Sequence, residues 1–388
     1  MAAGPADRAD GGTASNPYRI MLVDDSAVIR GLYTKVISAD PEIEIVASVG
    51  DGEMALRALQ RNDVEVAVLD IEMPRMDGLT ALPKLLEINP NLQIIMSSTL
   101  TLKNADISLR ALASGAKEYI PKPSTTGALV SAEDFKRELV LKIKALGAAR
   151  RKIGGSKAPV VAQPARFSAD RRPAAVAVKP AAERRIVLRT DGNRQQPEAI
   201  AIGSSTGGPQ ALMKVLGNLR RDLPQPIFIT QHMPATFTPI LAEHLSRASG
   251  WDCREGKDGE AVAPHRIYLA PGNYHMVVEV EGGRKIIRLN QNPPENFCRP
   301  SADPMLRSLA KAYGSRLLVL ILTGMGKDGQ AGAELAVQAG GTVAAQDEQS
   351  SVVWGMPGAV ATAGLCSAVL PLERMSSYLY ERALRSAA

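Results

Sequence analysis

The sequence predicts an α/β protein with two domains joined by a basic tether. Its 388 residues suffice for two or three domains of ordinary size. On both sides of the tether, short apolar runs alternate with amphipathic stretches, which is typical of sheets with mainly parallel strands. The intervening residues 148–197 contain eleven Ala and five Pro and lack a sustained apolar period. We expect these residues to form a disordered linker.

The positive charge of the chain is concentrated in this linker. The whole chain has 46 Lys and Arg against 40 Asp and Glu, and the linker alone has 12 basic and 3 acidic residues. The rest of the chain is slightly acidic, with 34 basic and 37 acidic residues. The basic composition is therefore no evidence for a DNA-binding domain, and we predict no nucleic-acid partner.

Composition also bears on the compartment. Cys253, Cys298 and Cys366 are odd in number and far apart, which favours a reducing environment over a disulfide framework. No apolar run approaches the roughly 18 residues that span a bilayer, so we predict no transmembrane segment. Residues 1–17 are small and polar and lack the pattern of a signal peptide. We expect a disordered N-terminal extension on a cytoplasmic protein.

Residues 18–147 contain five strand-and-helix units, which predicts a five-stranded, doubly wound parallel sheet. The strand candidates are Arg19–Val23, Ile43–Val49, Val64–Leu69, Leu92–Met96 and Glu118–Ile120. The helix candidates are Ala27–Ser38, Glu53–Gln60, Leu79–Glu87, Ala105–Ser114 and Glu133–Ala145. Functional groups of such a sheet gather beyond the carboxyl ends of the strands.

Polar residues follow four of those strands. Asp24 and Asp25 follow the first strand, Asp70 the third, Ser97 the fourth and Lys122 the fifth. Converging carboxylates repel one another unless a cation joins them, and oxygen ligands suit Mg²⁺. A lysine and a hydroxyl beside them can bind the oxygens of a phosphoryl group. One strand-end Asp is an ordinary turn residue, but the five together predict phosphate acceptance on Asp70.

Three strings around these residues resemble the receiver domain of two-component response regulators. They are 21–26 (MLVDDS), 69–78 (LDIEMPRMDG) and 121–123 (PKP). The resemblance implies a flavodoxin-like fold and phosphotransfer from a histidine kinase to Asp70. It also implies Mg²⁺ bound by Asp24, Asp25, Asp70 and the backbone carbonyl of Glu72.

The same resemblance makes Ser97 the switch hydroxyl and Lys122 the phosphate partner. Ser98 is adjacent, so the sequence leaves the switch hydroxyl open between Ser97 and Ser98. Pro121 departs from the pattern, because receivers often have a residue with a backbone N–H there.

Residues 198–388 resume the α/β rhythm and predict one domain with a mainly parallel sheet. The strand candidates are Ala199–Ile202, Pro226–Thr230, Ile267–Ala270 and Leu317–Leu322. A hairpin pattern joins Val277–Val280 to Lys285–Leu289.

A glycine-rich turn follows the first of these strands. Gly203, Ser205 and Gly207 have the spacing of a nucleophile elbow, and Pro209 suits the first position of a helix. A serine held there lies beside free backbone N–H groups that can stabilise an oxyanion. Taken alone, the segment also suits a plain glycine turn or a phosphate cradle.

A base and an orienting acid are available after two further strands. Of the four histidines, His232 directly follows the second strand, whereas His244, His265 and His275 are predicted to be surface or packing residues. Asp328 follows the fourth strand, where a buried carboxylate can hold the tautomer of a histidine. The predicted triad has the chain order Ser, His, Asp. That order differs from the one in α/β-hydrolases, so the elbow does not imply their fold.

A dinucleotide site is the alternative for the same segment. Gly324, Gly326 and Gly329 match the dinucleotide-binding fingerprint, with Asp347 as its distant acid. Against it, the carboxylate of Asp328 at the helix N-terminus would repel a pyrophosphate. It also leaves the serine and the histidine unexplained.

Five strings of this half resemble the catalytic domain of the chemotaxis protein-glutamate methylesterases. They are 202–209 (IGSSTGGP), 230–234 (TQHMP), 268–272 (YLAPG), 299–303 (RPSAD) and 321–329 (ILTGMGKDG). With the receiver motifs, the resemblance covers nearly all of the chain outside residues 1–17 and the linker. It implies hydrolysis of glutamate γ-methyl esters on methyl-accepting chemoreceptors and deamidation of receptor glutamines, with no cofactor for the ester chemistry. It further implies that phosphorylation of Asp70 relieves inhibition by the receiver.

Four further residues are candidates for contact with the substrate. The backbone N–H groups of Thr206 and Met325 are candidate oxyanion donors. Arg299 and Ser301 are either receptor contacts or parts of a structural loop.

Overall fold

The computed structural model describes residues 16–122, 132–153, 186–190 and 195–384. Most of the predicted N-terminal extension, most of the predicted linker and Pro123 of the third receiver motif lie outside the described residues. The chain divides into two compact units, one around each of two sheets.

The first unit contains a five-stranded sheet with the order β2-β1-β3-β4-β5. Its strands are β1 (Tyr18–Val23), β2 (Ile43–Val49), β3 (Val66–Asp70), β4 (Gln93–Ser98) and β5 (Glu118–Pro121). The helices of this part of the chain are α1 (Ala27–Ile37), α2 (Gly52–Arg61), α3 (Gly78–Ile88), α4 (Leu102–Ala113) and α5 (Ala132–Ile153). The β1–β2, β1–β3 and β3–β4 pairs are parallel, which confirms the predicted fold class.

Local sequence explains where these elements begin. Every residue of β3 and β4 is buried, as expected for central strands that helices cover on both faces. Helices α1 to α4 begin after side chains that accept a hydrogen bond from the first turn, namely those of Ser26, Asp51, Asp77 and Thr101. These caps fix the short loops that follow β1 and β3.

Helix α5 is longer than the sequence pattern predicts. The prediction ended it at Ala145, whereas it continues to Ile153 and so includes the first six residues of the expected linker. The Arg150 guanidinium donates to Asp63 at 3.0 Å, which anchors the last turns. Ala, Arg and Lys are strong helix formers, so composition alone did not separate this end from the linker.

The second unit contains a seven-stranded sheet with the order β14-β13-β12-β6-β7-β9-β8. Its strands are β6 (Ala199–Ser204), β7 (Ile227–Gln231), β8 (Asp252–Glu255), β9 (Arg266–Leu269), β12 (Leu317–Ile321), β13 (Thr342–Gln346) and β14 (Ala368–Leu370). Its helices are α6 (Gly208–Gly217), α7 (Thr238–Ser249), α8 (Ala302–Tyr313), α9 (Gln330–Gln338), α10 (Met356–Thr362) and α11 (Leu372–Leu384). All neighbouring strands of this sheet pair in parallel.

Two strands lie outside this sheet. Strands β10 (His275–Glu281) and β11 (Arg284–Asn290) form an antiparallel hairpin, as the sequence predicted. The strand prediction missed β8, β13 and β14. Strand β13 is fully buried inside the sheet, whereas β8 and β14 are short edge strands with few fully buried residues. Edge strands lack the apolar run that identifies a central strand.

The order of the second sheet determines where its functional residues meet. Strand β6 lies between β12 and β7, and both pairs are parallel. The carboxyl ends of these three strands therefore meet at one edge of the sheet. Within the described ranges, no helix is both long and apolar enough to cross a membrane.

Candidate functional sites

Ser205 lies in the turn between β6 and α6, the position predicted for a nucleophile. Gly207 has a φ of 74°, a left-handed conformation that favours glycine. The amide of Gly208 donates to the Ser205 carbonyl at 2.7 Å and closes the turn. Ser205 is partly exposed, and its hydroxyl makes no hydrogen bond to any residue that the structure describes.

Gln231, the last residue of β7, holds this turn from the neighbouring strand. Its side-chain oxygen accepts from the Ser204 hydroxyl at 2.7 Å. Its side-chain nitrogen donates to the carbonyls of Ser205 at 2.9 Å and His232 at 3.2 Å. The His232 amide donates to the Ser204 carbonyl at 3.2 Å, so the serine and the histidine lie on adjoining strand ends.

The loop after β12 packs closely against the serine. The Ser205 amide donates to the Thr323 carbonyl at 3.0 Å. A Cβ atom added at Gly324 would lie 2.9 Å from Ser205 Cβ and 2.4 Å from Met356 Sδ, so this approach requires glycine. Within the described part of the chain, the amides of Thr206 and Met325 donate to no acceptor, as oxyanion donors require before substrate binds.

His232 and Asp328 form the centre of the site. Nε2 of His232 lies 2.6 Å from Oδ2 of Asp328. The carboxylate is 1% exposed and the imidazole 12% exposed. This pair was predicted from the sequence, and the structure brings the two side chains together across 96 residues of chain.

Four other groups donate to the same carboxylate. They are the Ser301 hydroxyl at 2.6 Å, the Ala302 amide at 2.6 Å, the Asn296 side chain at 3.0 Å and the Asp303 amide at 3.2 Å. The two amides belong to the N-terminus of α8, whose dipole favours an anion. Burial alone raises the pKa of Asp328, but His232 and these donors outweigh it and hold the pKa well below its usual range.

The ionised carboxylate determines the tautomer of His232. An ionised Asp328 only accepts hydrogen bonds, so Nε2 of His232 carries a proton. Nδ1 of the neutral ring is then the basic nitrogen. Burial lowers the pKa of His232, but the charges and hydrogen bonds of Cys298 and Asp328 raise it well above its ordinary value.

The basic nitrogen is in contact with a thiol. Cys298 Sγ lies 3.3 Å from His232 Nδ1, and Cys298 is partly exposed. No sequence motif pointed to this cysteine, because it lies between two of the matching strings. The side chains of Gln231 and Asp303 were inside those strings, but only the structure shows what they contact.

Arg299 and Ser301, two of the candidate substrate contacts, form hydrogen bonds to other residues of the chain. The Arg299 guanidinium donates to Asn273 Oδ1 at 2.7 Å and to the Gln291 carbonyl at 2.9 Å. Ser301 is buried against Asp328. Both side chains hold the loop before α8, which corresponds to the structural alternative in the sequence prediction.

The other three histidines lie outside the predicted triad. His275 is buried, and its Nδ1 accepts from the Ser301 amide at 3.3 Å. His265 is exposed, and His244 lies in α7.

The dinucleotide alternative was wrong in its assignment of the glycine loop. Gly324 contacts the serine turn, and the Asp328 carboxylate lies at the N-terminus of α8 and binds His232. Asp347, the expected distant acid, accepts from the amide of Ser350 at 2.9 Å and from its hydroxyl at 2.6 Å. It is a turn residue.

A second site lies at the carboxyl ends of β1, β3 and β5. Oxygen atoms of Asp24, Asp25 and Asp70 lie within 4.8 Å of one another. Lys122 Nζ lies 2.8 Å from Asp24 Oδ2 and 2.7 Å from Asp70 Oδ2. Mg²⁺ is a hard cation that prefers oxygen ligands, and the three clustered carboxylates supply such ligands. Glu72, whose carbonyl was the other predicted ligand, lies in the loop after β3.

Asp70 is 3% exposed, and this environment perturbs its carboxyl group. Burial raises the pKa of Asp70 to about 6, although the Lys122 ammonium opposes the shift. Lys122 itself has a raised pKa because its hydrogen bonds and ion pairs with the two carboxylates outweigh its burial.

Ser97 is paired in register with Asp70 on the adjoining strand. Its hydroxyl lies 2.7 Å from the hydroxyl of Tyr33 in α1, which sequence reasoning missed. Burial raises the pKa of Tyr33, so that phenol stays neutral. The choice between Ser97 and Ser98 as the switch hydroxyl stays a prediction.

Comparisons with known proteins match both halves of the chain. Residues 200–379 match the family model described as CheB methylesterase, and residues 20–133 match the response regulator receiver domain. A protein-glutamate methylesterase/protein-glutamine glutaminase of Paramagnetospirillum magneticum is 57% identical, and the alignment covers 96% of this chain and 98% of that protein. A protein-glutamate methylesterase/protein-glutamine glutaminase of Azospirillum brasilense is 56% identical, and the alignment covers 99% of this chain and 97% of that protein. The solved CheB methylesterase catalytic domain of Thermotoga maritima is 40% identical over 48% of this chain and 98% of its own, with a TM-score of 0.47.

Proposed function

This chain belongs to the family of protein-glutamate methylesterases/protein-glutamine glutaminases, and we propose that Ser205, His232 and Asp328 are its catalytic residues. One observation carries the assignment. A buried, ionised carboxylate binds one nitrogen of a histidine whose strand end adjoins the serine turn. Nucleophilic catalysis by a serine requires a base of this kind and an acid that orients it.

The substrates are side chains of methyl-accepting chemoreceptors, in the adaptation step of chemotaxis. The enzyme hydrolyses glutamate γ-methyl esters to glutamate and methanol. It also converts particular receptor glutamines to glutamate and ammonia. Both reactions begin with attack on the same γ-carbonyl carbon, so one site serves both.

In the first half-reaction the Ser205 hydroxyl attacks the γ-carbonyl carbon while Nδ1 of His232 takes its proton. Asp328 stabilises the imidazolium that forms, because its carboxylate is held ionised. The imidazolium then donates the proton to the leaving methoxide or amine, and an acyl-enzyme remains. In the second half-reaction His232 activates a water molecule, which releases the glutamate and restores Ser205.

The negative charge on the carbonyl oxygen is stabilised by backbone amides. The candidates are those of Thr206, next to the nucleophile, and Met325, next to the glycine that contacts Ser205. Removing one such donor typically costs on the order of 10²-fold or more in kcat. Their assignment rests on their position in the serine turn and the β12 loop.

The receiver half accepts a phosphoryl group on Asp70 from a histidine kinase. Asp24, Asp25, Asp70 and the backbone carbonyl of Glu72 would hold Mg²⁺, which neutralises negative charge on the phosphoryl oxygens. Lys122 pairs with the remaining charge, and Ser97 or its neighbour donates a hydrogen bond. Phosphorylation then raises the esterase activity of the same chain.

The experiment measures methanol release from methylated receptor, with and without a small phosphodonor and Mg²⁺. Wild type is compared with Ser205→Ala, His232→Gln and Asp70→Asn. The two esterase variants should lose hydrolysis in both conditions. Asp70→Asn should keep basal hydrolysis and lose the stimulation.

Matched controls separate catalysis from folding. His265→Asn changes an exposed histidine whose φ is 55°, a conformation that Asn tolerates, and it should behave as wild type. Undiminished hydrolysis in Ser205→Ala would contradict the triad. Equal stimulation of Asp70→Asn and wild type would contradict the receiver control. Ammonia release from receptor glutamines should follow the same pattern across the variants.

A further inference from the structure

The thiol of Cys298 contacts Nδ1 of His232, the nitrogen that acts as the base in the proposed mechanism. Cys298 Sγ lies 3.3 Å from His232 Nδ1, whereas the Ser205 hydroxyl donates to no residue in the described ranges. The neutral ring has one lone pair at Nδ1, so the thiol and the serine hydroxyl cannot both donate to it. In this structure, Nδ1 of His232 is therefore in contact with a group other than the proposed nucleophile.

A constrained turn holds the thiol in this position. Glu295 and Cys298 exchange two backbone hydrogen bonds, at 3.2 and 2.9 Å. The two residues between them, Asn296 and Phe297, have φ values of 51° and 63°. Two successive left-handed residues are typical of the tightest hairpin turns, and a phenylalanine rarely adopts this conformation. Such backbone conformations persist where the surrounding structure requires them.

The same turn also reaches the acid of the triad. The Asn296 side chain donates to Asp328 at 3.0 Å and to Asp303 at 2.9 Å. The turn thus carries a donor to the carboxylate, and Cys298, the residue that follows it, carries a thiol to the imidazole. Its position is fixed by the triad at both of its ends, and a chance contact of Cys298 with the ring does not account for this.

We propose that Cys298 is a positioning residue that holds Nδ1 of His232 in the resting enzyme and releases it to Ser205 when substrate binds. The inference rests on the proposed function, since it assigns the role of base to His232. The thiol is a weak hydrogen-bond donor, so the hydroxyl of Ser205 can displace it from Nδ1 when substrate is bound.

Steady-state kinetics of methanol release test this role. In Cys298→Ala the free enzyme no longer has to break the thiol contact, so KM should fall by roughly two- to fivefold with kcat unchanged. Cys298→Ser retains a donor at this position and should restore values close to wild type. A raised or unchanged KM in Cys298→Ala, or a loss of kcat, would overturn the proposal.

The reactivity of the thiol gives a second, independent measurement. If Nδ1 is the partner of the thiol, the proton of Cys298 can pass to His232. The thiolate then forms a bond to the methylene carbon of iodoacetamide, iodide leaves, and the imidazolium loses its proton to solvent. Cys253 and Cys366 are internal controls, because burial raises the pKa of each thiol to about 12.

Alkylation of the full chain is followed by peptide mapping. In wild type and in Ser205→Ala, Cys298 should react at the same rate, and well before the two buried cysteines. In His232→Gln the rate at Cys298 should fall at least tenfold. Equal rates in His232→Gln and wild type would contradict the thiol–imidazole contact.

The two measurements separate this inference from the proposed function. Alkylation requires no esterase activity, so it tests the contact even if Ser205 is not the nucleophile. Hydrolysis that persists in Ser205→Ala but disappears in Cys298→Ala would overturn both, because the thiol would then be the attacking group. Loss of hydrolysis in Ser205→Ala with unchanged kinetics in Cys298→Ala would overturn this inference alone.

Discussion

Asp328 Oδ2 lies 2.6 Å from His232 Nε2 and also 2.6 Å from the amide of Ala302. The carboxylate thus orients His232, the proposed base, and also caps helix α8. A side chain with both tasks connects the chemistry of the site to the stability of the domain. Substitutions at this position have to be judged by both measures.

We expect Asp328→Asn to lose most of the esterase activity. An amide that donates to the ring would favour the tautomer with a proton on Nδ1, which cannot act as a base towards Ser205. The decrease in kcat should be on the order of 10³- to 10⁴-fold. Methanol release under saturating receptor, with the melting temperature measured alongside, checks this.

Asp347→Asn is the matched control for that substitution. Among the residues that the structure describes, the carboxylate of Asp347 accepts hydrogen bonds from one neighbouring turn residue, Ser350. The kcat of Asp347→Asn should stay within about twofold of wild type, as is usual for sites away from the chemistry. A comparable loss in both variants would indicate a general effect on folding.

The pH dependence of hydrolysis should reflect the raised pKa of His232. The neutral ring is the base, so activity is lost as pH falls through the pKa of the folded enzyme. Because the pKa lies well above the ordinary 6.5, the acid limb of kcat/KM should have its midpoint above that value. A constant melting temperature across the range would show that titration, and not unfolding, causes the loss. A midpoint at or below 6.5 would contradict the assignment of the base.

Gly324→Ala should damage the nucleophile without any change in a polar group. The new Cβ atom would lie 2.9 Å from Ser205 Cβ and 3.0 Å from its amide nitrogen, so the serine turn has to shift. We expect a loss of kcat of about 10²-fold, since small misplacements of reacting groups have effects of this size. Gly31→Ala, where no atom lies within 4 Å of the new Cβ, is the control and should retain full activity.

Mg²⁺ should stabilise the receiver half, as read from the melting temperature with and without EDTA. The ion binds the folded carboxylate cluster, so it raises stability by mass action. Asp25 is exposed, so Asp25→Asn should leave the melting temperature in EDTA nearly unchanged and reduce the increase with Mg²⁺. Glu87→Gln removes an exposed charge in the last turn of α3 and should respond to Mg²⁺ as wild type. Equal responses of Asp25→Asn and Glu87→Gln would contradict the site.

Sequence patterns predicted the central elements and the residues at their ends. Strands such as β6 and β12 are entirely buried and read as continuous apolar runs, so their ends locate Ser205 and Asp328 closely. The edge strands β8 and β14 escaped because few of their residues are fully buried. The end of α5 escaped because good helix formers continue into the linker.

The contacts around the triad were beyond the reach of sequence patterns for a different reason. A turn with two left-handed residues brings Cys298 to His232. The same turn brings Asn296 to Asp328. Neither Asn-Phe nor the preceding prolines predict such a turn, since Gly is the usual second residue. Tyr33 and Ser97 likewise meet across 64 residues, a contact that no local pattern encodes.

The pairing of β6 with β12 also sets when the enzyme can first act during its synthesis. Ser205 and His232 leave the ribosome long before Asp328, which follows His232 by 96 residues. Strand β6 has to wait for β12 before the edge that carries Ser205 is complete. The receiver half can fold earlier, because amino-terminal domains form first during translation. If the proposed function holds, we expect a nascent or truncated chain that ends before β12 to accept phosphate on Asp70 but not to hydrolyse the ester.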